Sequence, residues 1–87
     1  LGTSDFSYNQ LITLEKTLVE DLLKINISEE YSTPITISIY NTLGQEILQF
    51  VLENKKYNTI DISFLQSGLF YIKTNVPNQF VLKFLKK

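Results

Sequence analysis

The sequence has no histidine, no cysteine and no arginine. Without His and Cys, the usual general base, the imidazole metal ligand and the thiol nucleophile are all missing, which removes most hydrolytic and redox mechanisms and every Cys-based zinc site. Disulfides are excluded too, although a disulfide-free chain survives in either redox compartment. With Lys as the only cation, eight against nine acidic residues and a net charge of −1, there is no basic field to hold a phosphate backbone, so nucleic acid is not an expected partner. No apolar run approaches the ~18 residues that cross a bilayer, and the first residues lack the charged-then-apolar order of a signal peptide. A soluble domain with no membrane span of its own is expected. Because it begins at Leu1 rather than Met, the chain reads as a piece of a longer protein.

Carboxylates, lysines and hydroxyls are what remain for chemistry. The acidic pairs Glu20-Asp21 and Glu29-Glu30 offer oxygen ligands, but neither has the alternating Asp/Asn-Gly spacing of a calcium loop, and solvated loop charges account for them. Neither enzymatic activity, nor a cofactor, nor a metal is expected.

The composition that is present favours strands. Ten Ile, six Phe and five Tyr suit a pleated, half-buried surface, and 87 residues suffice for one two-layer core but not for a core plus a deep catalytic cleft. Residues 21–28 (DLLKINIS) set Leu23, Ile25 and Ile27 against Lys24, Asn26 and Ser28 with the period of a half-buried strand. Residues 35–40 repeat the pattern with Ile35, Ile37 and Ile39, after a polar loop over 29–34 that ends in Pro34. Asn41-Thr42-Leu43-Gly44 supplies residue types that tolerate positive φ, which predicts a hairpin into 45–52.

Residues 57–62 form a shorter or edge strand, followed by a crossover over 63–68 whose Phe64 and Leu65 are expected to plug the end of the fold. Strands over 69–75 and 79–85 are joined by Val76-Pro77-Asn78; Phe70 and Ile72 share one face, and Phe80, Leu82 and Phe84 another. At the N-terminal side, Leu14, Leu18 and Leu22 have helical spacing, yet a strand over 7–14 and a turn over 15–20 fit the rest better. About seven strands result, an all-β antiparallel sandwich. The last strand has a basic end, with Lys83 opposite Phe84 and Lys86 and Lys87 following. It reads either as an edge guarded by charge or as a strand offered to a receptor that pairs with its edge or grips its lysines.

Four blocks taken together, residues 39–47 (IYNTLGQEI), 58–62 (NTIDI), 67–73 (SGLFYIK) and 83–87 (KFLKK), carry a resemblance. In order and spacing the chain resembles the type IX secretion C-terminal sorting domain of Bacteroidetes cargo proteins, over about residues 21–87. The resemblance implies an Ig-like Greek-key sandwich, a single sorting domain spanning residues 1–87, and a position after an N-terminal cargo domain. It further implies recognition by outer-membrane translocon and shuttle proteins, removal by a sortase-like cysteine peptidase, and delivery through periplasm and outer membrane to the cell surface or medium. Carried over by position, Gly68, Lys73, Lys83, Lys86 and Lys87 are the residues of translocon recognition, with the charge of Lys86 beyond the packed strand. Gly44, Phe70, Tyr71, Phe80 and Phe84 are structural.

Two departures stand out. Glu15-Lys16-Thr17-Leu18 occupies the place of the family's Tyr-Pro-Asn-Pro, and Phe70 holds the place of a Tyr while Tyr71 follows it on the other face. The rival reading is an adhesive or carbohydrate-binding sandwich, which needs an exposed aromatic platform. Tyr31, Tyr40 and Tyr57 are its candidates.

Overall fold

Alternation of apolar and polar side chains sets the architecture of the chain. A computed structural model describes residues 11–28, 34–53, 55–76 and 81–87. Among these there is no helix, and eight strands form two sheets: β1 (Ile12–Leu14), β2 (Leu18–Val19), β3 (Leu22–Ile27), β4 (Ile35–Tyr40), β5 (Glu46–Leu52), β6 (Tyr57–Asp61), β7 (Gly68–Thr74) and β8 (Leu82–Lys86). The three-stranded sheet runs β1-β3-β6, and the five-stranded sheet runs β2-β8-β7-β4-β5. All pairings are antiparallel except β2 with β8, which is parallel.

The period-two pattern puts Leu23, Ile25 and Ile27 on the inner face of β3 and Ile35, Ile37 and Ile39 on that of β4. They join Ile12 and Ile60 from the first sheet and Ile72 and Phe84 from the second in one buried cluster. A shared core drawn from both sheets is what a β-sandwich requires. Each large side chain fully buried there contributes about 1.5–3 kcal/mol.

The predicted β4–β5 hairpin forms, and its chemistry is local. The Asn41 side-chain oxygen accepts the Leu43 and Gln45 N–H groups, and the Gly44 N–H donates to the Asn41 carbonyl at 3.0 Å. Gly44 has φ 85°, the left-handed geometry that closes such a turn, and the register slips between Ile39 and Tyr40 as a bulge.

Two expectations need correction. The stretch 15–20 is not a simple turn: it contains β2, held because Val19 is buried and because the Thr17 and Val19 carbonyls accept the Leu85 and Lys87 N–H groups at 2.7 and 2.8 Å. The helical spacing of Leu14, Leu18 and Leu22 is incidental, since Leu18 and Leu22 are exposed while Val19 and Leu23 fill the core. Of the two residues expected to plug the crossover, Leu65 is buried and Phe64 is 62% exposed; the first apolar plug is Ile62. Leu65 turns inward because its N–H donates to the Ile62 carbonyl, which coils the segment so that Phe64 points away. The first strand is seen as β1, and the part expected over 7–10 lies outside the described residues, as do the loop residues 29–33 and the turn at Pro77 and Asn78.

Candidate functional site: the terminal strand and its sheet

β8 lies inside the sheet and not at its margin. β7 pairs along one side, from Gly68 opposite Lys86 to Ile72 opposite Leu82, and β2 covers the other side at Leu85 and Lys86. The expected free edge is therefore closed at its C-terminal half by the short parallel strand. The Leu85 and Lys87 N–H groups that an edge-pairing receptor would need already donate to the Thr17 and Val19 carbonyls.

The core-facing side of the strand is anchored by aromatic packing. Phe84 and Phe70 are partners across the ladder, and their rings stack with centroids 5.5 Å apart and planes 21° apart. Gly68 opens β7 with φ 147°, where a side chain is rarely accommodated, so its backbone geometry and not a close neighbour demands glycine. Phe80 lies outside the described residues.

The lysines divide into different environments. Lys83 is exposed and stands opposite Tyr71 on the outer face. Lys73 is exposed on the same face, with its Nζ 5.3 Å from the centre of the Tyr40 ring, a cation–π distance. Lys87 is exposed, 3.8 Å from the Glu20 carboxylate.

Lys86 contradicts its expected place beyond the packed strand. It is only 7% exposed, and its Nζ donates to the Lys87 main-chain oxygen at 3.1 Å. The physical reason is the strand period: the alternation that sets Lys83 opposite Phe84 sets Lys86 on the same side as Phe84. Its aliphatic stem lies along the core margin while the ammonium folds back to an oxygen.

Tyr71 is half-buried on the outer face, in register with Tyr40 on one side and Lys83 on the other. The placement follows from its position one residue after Phe70, as expected from the departure in sequence. Gly44 sits in the β4–β5 turn, apart from the β7–β8 ladder. A cleft of about 370 Å3 opens between 41–47 and 64–70, bordered by Ile47, Phe64, Gly68 and Leu69.

The two described aromatic candidates of the rival reading lie in different sheets. Tyr40 belongs to the five-stranded sheet and Tyr57 to the three-stranded one, and Tyr31 lies outside the described residues. Among the described residues no three carboxylates gather into a group able to hold a metal.

Two features of the region escaped sequence reasoning. β2 has only two residues and no alternation to reveal it. Asn58, 3% exposed, bonds through its side chain to Glu53 N–H and to the Glu53 and Lys55 carbonyls. Its position two residues before Ile60 was the available signal, since a polar residue on the buried face of a strand needs internal partners.

Residues 19–87, from within β2 through the terminal strand, match the model of a family described as the secretion system C-terminal sorting domain. No curated protein and no solved structure matches the chain.

Proposed function

The chain belongs to the family of secretion system C-terminal sorting domains, the type IX family of Bacteroidetes, and from that premise we propose that it is a folded export address read by the outer-membrane translocon. The family is one of sorting signals and not of enzymes, and its members mark proteins that are exported to the cell surface or secreted. In the proposed sequence of events, shuttle proteins and the translocon bind the sandwich of residues 1–87 behind an N-terminal cargo. A sortase-like cysteine peptidase then separates the two.

The observation that carries this reading is that the family match includes every strand of the β2-β8-β7-β4-β5 sheet, although β2 only from Val19. A receptor that recognises a folded sheet gains specificity from side chains held in fixed register, at little ordering cost. Lys73, Lys83 and Lys87 are the proposed contacts. Gly68, by opening β7, and Lys86, by packing beside Phe84, hold the strand in place and do not reach outward.

The test fuses residues 1–87 to a fluorescent reporter carrying a periplasmic signal, in a host with this secretion system, with and without residues 80–87. The full fusion is expected at the surface and the truncated one in the periplasm. Equal surface delivery of both removes the export-address reading.

A further inference from the structure

Two rows of side chains cross the outward face of the five-stranded sheet. In the first, Leu18, Leu85 and Leu69 stand side by side across β2, β8 and β7, with Leu18 51% and Leu85 48% exposed. At Leu69 this row meets the cleft whose rim carries the exposed Phe64. In the second row Lys83 faces Tyr71, and Tyr71 faces Tyr40. Lys73 follows Tyr71 on the same face of β7 and lies over the Tyr40 ring. Among the described residues neither Lys73 nor Lys83 has a carboxylate within ion-pair distance. Glu46 stands at the far end of that row, where it accepts the Tyr40 hydroxyl at 3.5 Å.

A leucine row with two exposed members favours being covered, and the two exposed lysines beside it select the sign of the cover. The geometry points to an acidic protein surface as the occupant of this face. Such a partner sets aliphatic side chains on the Leu18–Leu85–Leu69 row, one of them reaching the cleft beside Phe64, and carboxylates against Lys83 and Lys73. This rests on the export-address reading and names the chemistry of the receptor that reads it. A carboxylate meeting these lysines at the margin of an apolar contact is partly shielded from water, where a charge-assisted hydrogen bond is stronger than in the open. An anionic lipid surface fits less well. Two cations on a chain of net charge −1 provide little adsorption, and the leucines lie flat in a sheet instead of projecting from an amphipathic helix.

The experiment compares surface export of the reporter fusion in four forms: unchanged, lacking residues 80–87, K73E/K83E and K73R/K83R. Thermal unfolding of each purified fusion and its binding to vesicles containing an anionic phospholipid are measured alongside. The Glu pair is expected to lower export by about tenfold or more with an unchanged melt, the Arg pair to stay within about twofold, and no form to bind vesicles. If the truncation abolishes export while the Glu pair exports normally, the acidic partner is wrong and the export address stands. If truncated and intact fusions export equally, the address reading itself fails. If the unchanged domain binds the vesicles and the Glu pair does not, the occupant is lipid and the inference is overturned. Should the Glu pair melt lower, K73Q/K83Q removes the charges without reversing them; it is expected to reduce export, and normal export of that pair overturns the inference.

Discussion

Asn58 illustrates how much one polar side chain organises at the residue scale. Its amide satisfies three main-chain groups between β5 and β6. Asn58→Ala is expected to cost about 1–3 kcal/mol in urea unfolding, because those groups lose partners at a part-buried site. Asn58→Asp keeps the acceptor for the Glu53 N–H but loses both donated bonds, so it recovers only part of that loss. Lys86 gives the opposite lesson, a charged residue whose stem matters more than its charge. Lys86→Met is expected to unfold within about 1 kcal/mol of the unchanged domain, as a swap that keeps volume, and Lys86→Ala to be less stable than the Met variant. Asp61 shows a third effect. The Ser63 backbone N–H donates to it at 2.9 Å, and this bond, with the Ser63 side chain adding to it, holds its carboxyl below the ordinary value. The hydrogen bond and then the charge of Lys55, at 2.7 Å, do the same for Glu53. Both depressed values mean stability that is fully present above the ordinary carboxylate range and lost as pH falls through the lower folded-state values. Thermal melts from about pH 6 down to about pH 2 should therefore fall on the acid side, and Asp61→Asn should flatten that fall. The turn-forming Asn41 and Gly44 announced their roles in sequence, since turn chemistry is local, whereas Lys86 takes its place from the sheet around it.

At the scale of the element, strands with alternating side chains were legible and the strand without alternation was not. β3, β4 and β7 follow directly from Leu23/Ile25/Ile27, Ile35/Ile37/Ile39 and Phe70/Ile72. β2 exists because Val19 is buried and because two carbonyls bond to the terminal strand, facts about a partner far along the chain. Val19→Ser weakens the anchor of β2 without touching the β7–β8 ladder. In amide hydrogen exchange, the Leu85 N–H is expected to exchange on the order of tenfold faster in that variant, while the Phe84 N–H, across the ladder from Phe70, keeps its protection. Equal acceleration of both amides would mean that β2 supports the whole sheet instead of closing one side of its terminal strand.

For the whole molecule, a core assembled from two small sheets leaves little reserve. Phe84 is nearly fully buried and stacks on Phe70 between the two sheets' inner faces. Phe84→Ala is expected to cost about 3–5 kcal/mol, a large share of the ~5–15 kcal/mol that holds a domain folded. Chemical denaturation should show the variant substantially destabilised, and export of its reporter fusion should fall with the folded fraction. Phe84→Leu, which keeps most of the volume, should retain more of both. Parallel losses of stability and export separate this substitution from K73E/K83E, for which export alone is expected to change.

The sequence by itself determined the all-β class, the inner faces of the long strands, the β4–β5 turn and the resemblance that placed the chain among the sorting domains. Each of these depends on a local period or on motifs whose order is written along the chain. The tertiary structure alone decided that the terminal strand is flanked on both sides, that Lys86 belongs to the packed side of the sheet while Lys73 and Lys83 stand outward, and that three leucines from three strands form one row. Those outcomes depend on which strands become neighbours and in what register. Period two tells a residue which face it shares with its own strand, but only the assembled sheet tells that face what lies beside it.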